Sequence, residues 1–210
     1  MLKLKALILT QGMHGMISQA EGLAKALGLD FTHQTIKLKK FWNFIPPKFT
    51  PISENVLSKK FVCDAKVIIS CGRKSVIPSI SLKKKFGKNI INIHIQDPKV
   101  RLSNFDFIVA PEHDNLKGEN VLTSKGAIHY LTNGELDANE SYLKSRINSQ
   151  KKIVTLIIGG PTKYYNYSDK VIDNIFSKIK KNFLNKNYQL IVVPSMRTPQ
   201  NIIDKAKNYF

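Results

Sequence analysis

The sequence predicts an α/β protein built on a parallel sheet, and three observations carry that reading. Short β-rich apolar runs alternate with amphipathic or polar stretches along the whole chain. Each run stops at a cluster of Gly, Pro, Asp or Arg, which is where ligands sit in such sheets, beyond the carboxyl ends of the strands. No internal repeat or low-complexity tract interrupts the alternation.

Leu4 to Thr10 is the first strand, and Gln11-Gly12-Met13-His14-Gly15 is a glycine-bearing turn. From Met16 to Leu27, Ile17, Ala20, Leu23, Ala24 and Leu27 recur at helical spacing, with Gly28 as the stop. Phe31 to Leu38 alternates as a second strand. Lys39 to Pro51, with Trp42, Phe44, Phe49 and three prolines, excludes a regular helix and reads as an aromatic-bearing loop. Ala65 to Ser70 is a β-branched run ending in Cys71-Gly72-Arg73-Lys74-Ser75, followed by a helix from Val76 to Phe86 that tolerates Pro78 in its first turn. Strands follow at Asn89 to Ile95, Phe105 to Ala110 and Val121 to Thr123. A polar helix from Glu135 to Ile147 leads to Asn148-Ser149-Gln150-Lys151-Lys152, the expected boundary between an N-terminal domain, 1–148, and a second region, 149–210. That region reads strand (Ile153 to Ile158), helix (Asp169 to Phe183), strand (Tyr188 to Val193), helix. Two strands and their helices are a small base for an independent core.

Across 210 residues, 42% hydrophobic content supports an ordinary buried core. No run approaches the roughly 20 apolar residues of a spanning helix, and the start, Met1 to Thr10, is too short and too alternating for a signal peptide. Cys63 and Cys71 have no metal-site or disulfide spacing, so a reducing cytoplasm and no metal are expected. A net charge of +18 raises nucleic acid, anionic lipid and polyanionic substrates as partners. No basic–aromatic nucleic-acid module is present, so nucleic acid is not expected, and a solvated lysine surface is the plainer reading. Against that background the arginines, Arg73, Arg101, Arg146 and Arg197, stand out, and Arg73 and Arg197 fall in loops just after strands.

The candidate chemistry lies at the strand ends. Gly12 and Gly15 flank a turn that can cradle a ligand, with His14 as a base or phosphate donor; an idle loop histidine fits His14 equally well. Arg73, Lys74 and Ser75 form an anion seat, or Ser75 merely caps the helix. Cys71 fits a small buried residue better than a nucleophile. Asp97 and the run Glu112-His113-Asp114 follow neighbouring strands, and a carboxylate beside an imidazole suits general base work; turn-forming roles are the alternative. In the second region the apolar run stops at Gly159-Gly160-Pro161-Thr162, a strand–glycine–helix layout that aims backbone N–H groups at an anion. Ser195, Arg197 and Thr198 end the next strand on the same face. Tyr164, Tyr165 and Tyr167 can stack on a base or sugar, or simply pack as a surface loop.

Taken in order, Gln11-Gly12, Gln19-Ala20-Glu21-Gly22-Leu23-Ala24, Cys71-Gly72-Arg73-Lys74-Ser75, Ile95-Gln96-Asp97-Pro98, Ala110-Pro111-Glu112-His113-Asp114, Gly126-Ala127-Ile128-His129, Ile158-Gly159-Gly160-Pro161-Thr162 and Arg197-Thr198-Pro199 resemble the mitochondrial fission factor, or "elongated mitochondria", family. With no extension before the first strand, the bacterial branch is expected. The resemblance implies a GT-B-like fold of paired Rossmann-like domains, similar to glycosyltransferases and nucleotide-sugar epimerases. It makes Gly159, Gly160, Thr162, Ser195 and Arg197 nucleotide-side residues for a UDP-type nucleotide-sugar, with no separate cofactor required. Gly12, Gly15, Arg73, Lys74 and Ser75 become acceptor-side residues, and His14, Asp97, Glu112 and His113 catalytic ones. The implied activity is glycosyl transfer. The alternatives are a nucleotide-sugar epimerase, or a non-enzymatic adaptor whose basic surface and Trp42 loop meet an anionic membrane, placing a cytoplasmic protein peripherally at the inner membrane. Family members carry further βα units beyond this point, so the chain is expected to be a C-terminally truncated form.

Overall fold

A computed structural model describes residues 3–60 and 62–210. Met1 and Leu2, which open the segment read above as lacking a signal peptide, lie outside the described residues. The chain divides into two compact units, Met1–Thr132 and Asn133–Phe210.

The first unit is a six-stranded, wholly parallel sheet. Its strands are β1 (Lys5–Thr10), β2 (Asp30–Thr35), β3 (Val67–Cys71), β4 (Ile91–Ile95), β5 (Phe107–Pro111) and β6 (Val121–Ser124), in the order β2-β1-β3-β4-β5-β6. Parallel pairing demands crossovers. Helix α1 (His14–Ala26) lies over β1 and β3 on one face, and α2 (Val76–Phe86) over β3 and β4 on the other. The alternation of each central strand divides its side chains accordingly. Ala6, Ile8, Val67, Ile69, Ile93 and Ile95 pack with Ala20 and Ala24 of α1, while Leu7, Leu9, Ile68 and Ile108 pack with Val76, Ile77 and Ile80 of α2. Because both faces are covered, the strands read as continuous apolar runs. This is the Rossmann-like α/β fold that the alternating pattern predicts.

Two local differences from the predicted boundaries have simple causes. Helix α1 begins at His14, ahead of the expected Met16, because Gly12 alone makes the turn, at φ +80°, and Met13 is already an extended N-cap. Near α2, Ser75 sits at the N-cap position in helical backbone but makes no side-chain capping bond. A 3-10 turn over Arg73–Ser75 runs straight into the helix, and the Ser75 hydroxyl donates to the Gly72 carbonyl at 2.7 Å. After β6 the chain returns over α1: a Cβ at Gly22 would lie 2.5 Å from the His129 carbonyl, and Ile128 joins the α1-side core.

The second unit holds α3 (Asn133–Lys144), β7 (Lys152–Ile158), α4 (Asp169–Asn182), β8 (Tyr188–Pro194) and α5 (Gln200–Tyr209). Strands β7 and β8 pair in parallel, and Ile158, Ile172, Phe176, Ile202 and Ala206 make the core that α4 and α5 bury on one side. Ser168 caps α4, accepting from the Val171 N–H. Ile153, Ile157 and Val193 of the strands remain exposed. The division between units falls before α3, ahead of the expected 148/149 junction, and the Asn148 N–H is tied to Gln189 Oε1 on β8 at 2.7 Å.

Candidate functional site

In the first unit the crossovers leave β1 in opposite directions, so the sheet's switch point lies between β1 and β3. Both turns there are drawn tight. Gly72 stands at φ +90°, and a Cβ on it would meet Met16 Sδ at 2.5 Å and Gln11 Nε2 at 2.7 Å. Thr10 Oγ1 accepts the Gly12 N–H at 3.0 Å and is bonded to His33 Nε2 at 2.7 Å. Burial lowers the His33 pKa, only partly offset by the charge of Glu21, so this turn is held by a neutral imidazole.

Two hollows open along the same edge, divided by the turn Gln96-Asp97-Pro98-Lys99. One, of about 270 Å³, lies between that turn, Gly72, Arg73, His94 and Pro46-Pro47. The other, of about 360 Å³, lies between it and Pro111, His113 and Asp114, with Gln19 and Ala127 closing the wall. Gln96 and Lys99 both adopt left-handed backbone, φ +80° and +56°, at a cost of about 1 kcal/mol each for non-glycine residues. The strain presents Asp97 to both hollows. Burial pushes the Asp97 carboxyl up, but Lys99 outweighs it: its Nζ lies at 2.6 Å and its N–H at 2.8 Å, and the pKa ends below the usual value. Asp97 is therefore an ionised hydrogen-bond acceptor. His94 is fully buried and pushed down to about 3 by desolvation against the pull of Asp97, with Ser70 Oγ at 2.8 Å from its Nδ1. Arg73 stands across from Asp97 with Nη2 on the Phe44 carbonyl at 3.2 Å. A carboxylate, a neutral imidazole and a guanidinium around one small hollow suit a hydroxyl-bearing or anionic ligand.

Of the residues singled out in the sequence, Asp97 and Arg73 share the first hollow, and Asp97 and His113 the second. His113 Nε2 lies 3.7 Å from Asp114 Oδ1. Lys74 faces a narrow crevice with Arg73, Trp42 and Ile77. Ser75 is wholly buried with its hydroxyl committed to Gly72, which gives it a structural role in the turn. His14 and Gly15 form the exposed first turn of α1, whose N-cap has no side-chain bond; neither they, Gly12 nor Glu112 line either hollow. Burial pushes the Cys71 thiol up to about 12, the behaviour of a packed residue rather than a nucleophile. Among the described residues no His, Cys, Asp and Glu cluster could hold a metal ion, and no helix is long and apolar enough to cross a membrane.

In the second unit the loops after β7 and β8 press together. A Cβ on Gly160 would collide with Arg197 Cβ and lie 2.8 Å from its carbonyl oxygen. Thr198 Oγ1 donates to the Ile158 carbonyl at 2.6 Å and accepts the Ser195 N–H at 2.8 Å, and Ser195 Oγ accepts the Arg197 N–H at 3.2 Å. Thr162 Oγ1 accepts the N–H groups of Tyr164 and Tyr165, and the Tyr167 hydroxyl donates to the Gly159 carbonyl at 2.8 Å. The hydroxyls of Ser195, Thr198, Thr162 and Tyr167 thus hold the loops in shape. The Gly159 and Gly160 N–H groups have no acceptor among the described residues.

Comparison with known proteins then decides the family. A model described as Mitochondrial fission ELM1 matches residues 14–210. The chain belongs to that family. Every candidate residue except Gly12 lies within the matched span. Among relatives of this ELM1-family chain, the uncharacterized protein RP120 of Rickettsia prowazekii (strain Madrid E) is 24% identical over 235 residues, covering 92% of this chain and 65% of its own length. The mitochondrial fission protein ELM1 of Arabidopsis thaliana is 31% identical over 48 residues, 23% of this chain and 11% of the plant protein. The chain thus spans less than two thirds of the length of the relatives it matches.

Sequence reasoning missed His94, Ser70 and Lys99 and named Gln96 only as part of its strand-end cluster. The signal for the first two was present: Ile91-Asn92-Ile93-His94-Ile95 alternates, so Asn92 and His94 share a face, and Ser70 sits opposite His94 in the β3–β4 register. Lys99 follows the turn-forming pair Asp97-Pro98, and its N–H closes on Asp97 Oδ1 at 2.8 Å, so a local signal existed for it too.

Proposed function

We propose that this chain binds the diphosphate of a nucleotide-sugar at the Gly159-Gly160 turn, and that the reaction of the whole protein is glycosyl transfer. The observation that carries the reading is the pair of unpartnered N–H groups at Gly159 and Gly160, fixed beside Arg197 by a contact only glycine permits. Free amides on a loop packed against the Arg197 backbone suit the oxygens of a diphosphate, for which an arginine is a fitting partner. The parallel-sheet unit before it, with an ionised Asp97 in a polar hollow, suits an acceptor hydroxyl.

In that reaction the acceptor oxygen forms the new glycosidic C–O bond and gives its proton to a base, and Asp97 of the first unit is an ionised carboxylate of the kind that step uses. The bond from the sugar carbon to the diphosphate breaks with its electron pair on the leaving oxygen. Arg197 and the two glycine amides meet that charge. Glu112 and His113 are a further carboxylate and imidazole on the same strand-end side.

A nucleotide panel read by thermal unfolding tests the binding half of the proposal. UDP or a related nucleotide diphosphate raises the unfolding temperature, and Gly160→Val removes the rise. A folded chain that responds to no nucleotide at millimolar concentration would falsify the reading.

A further inference from the structure

A further hollow adjoins the first strand-end hollow, with Pro47 and Lys99 lining both. It occupies about 740 Å³ between Pro47 to Ile52, α2 and the segment from Lys99 to Asn104. Its floor is aliphatic, from Ile77, Ile80 and Val100, and its rim carries Lys48, Lys84 and Arg101. Among the described residues none of these three cations has an acidic partner, whereas Lys99, also on the rim, is bonded to Asp97. No Asp or Glu lines the hollow.

The loop forming one wall, from Lys39 to Ile52, holds three phenylalanines outward. Phe41, Phe44 and Phe49 are 66%, 82% and 70% exposed. The loop is nonetheless tied down. The Lys39 N–H donates to the Val56 carbonyl, Arg73 bonds the Phe44 carbonyl, Thr50 Oγ1 donates to the Pro46 carbonyl, and Pro47 and Thr50 are buried. Trp42, the residue that stands out in the sequence, instead packs partly buried against the α2-side core. Lys39, Lys40 and Lys48 accompany the phenylalanines, and Glu54, the acid of the neighbourhood, is paired with Lys85 at 3.2 Å. Apolar rings on an anchored loop, ringed by unpaired cations, mark an interaction surface.

We propose that this surface docks on an anionic bilayer, with Phe41, Phe44 and Phe49 at the boundary of headgroups and acyl chains and a lipid phosphate between Lys48, Lys84 and Arg101. Charge complementarity selects the occupant. A bilayer of anionic lipid offers a phosphate for the rim, apolar glycerol and chain carbons for the aliphatic floor, and an interface for the rings. A nucleic acid offers the phosphate but nothing for the floor. The inference does not rest on nucleotide binding, which involves the other unit.

Co-flotation of the chain with vesicles tests it, comparing phosphatidylcholine alone with phosphatidylcholine containing phosphatidylglycerol. The chain floats with the anionic vesicles at low ionic strength and releases as salt rises. Replacing Phe41, Phe44 and Phe49 with Ser lowers binding more than about tenfold. Lys48→Glu with Arg101→Glu does the same, each cation near the surface being worth about fivefold. Lys170→Glu with Lys178→Glu, an equal charge change on exposed α4, stays within about threefold. All these positions are solvent-facing, and unchanged melting verifies that each variant is folded. Binding that ignores the lipid charge, that survives loss of the three rings, or that falls equally with the α4 charges overturns the proposal. So does tighter, ring-dependent binding to single-stranded DNA than to the vesicles.

Discussion

Gly160 and Arg197 meet so closely that no side chain fits between them: a Cβ on the glycine would overlap Arg197 Cβ and sit 3.1 Å from its carbonyl carbon. The neighbouring Gly159 has room, with the Tyr167 hydroxyl 3.9 Å from the place its Cβ would take. The two glycines therefore answer differently to one added methyl. Gly160→Ala costs about 1–3 kcal/mol by overpacking against backbone, whereas Gly159→Ala stays within about 0.5 kcal/mol. Denaturant midpoints of the two variants measure the difference.

His94 makes the first unit acid-sensitive. Its folded pKa of about 3 lies below the ordinary histidine value of 6.5, so between those values the unfolded chain binds the extra proton. Stability is then full above about pH 6.5 and falls as pH drops toward 3, at up to about 1.4 kcal/mol per pH unit. His33, lowered by burial, acts in the same direction. Urea unfolding at pH 7.5 and 5 shows the loss in the native chain, and His94→Gln flattens it.

Beneath α2 a polar string crosses an apolar interface. Ser79 Oγ donates to Asn92 Oδ1, and Asn92 Nδ2 is buried with no partner. Ser79→Ala orphans the second end of the amide and costs about 1–3 kcal/mol. Ser79→Ala with Asn92→Leu removes both ends of the bond and lies within about 1 kcal/mol of the native stability. A double-mutant cycle by chemical denaturation reads the coupling.

On β7 successive isoleucines face opposite ways. Ile158 is 5% exposed in the core with α4 and α5, and Ile157 is 75% exposed. Ile158→Ala costs about 2–4 kcal/mol, while Ile157→Ser changes stability by less than about 0.5 kcal/mol. Calorimetric melting separates them.

The fold was legible because its signals are local. Apolar runs such as Val67–Cys71 stop at glycine, α1 carries Ala20 and Ala24 at helical spacing, and these place every strand and helix to within a few residues. The site was legible in part. Asp97, Arg73 and His113 lie where strand-end reasoning puts them, because a parallel sheet gathers its carboxyl ends on one edge. Ser75 makes no side-chain capping bond because its hydroxyl donates back to the Gly72 carbonyl within the turn. The alternation of β4 shows the face His94 takes, while its pairing with Ser70 comes only with the β3–β4 register of the assembled sheet. The exposed phenylalanines around a partly buried Trp42 follow the same rule: the loop's anchors, Val56 and Arg73, are distant in sequence.

The central claim is that the Gly159-Gly160 turn binds a diphosphate, and calorimetric titration of the chain with UDP tests it most directly. The account predicts saturable binding at one site per chain, retained in Gly159→Ala, and weakened at least about tenfold by Arg197→Ala, the loss of one charge-assisted contact. Binding equally strong in Arg197→Ala, or no heat of binding from a folded native chain, contradicts it.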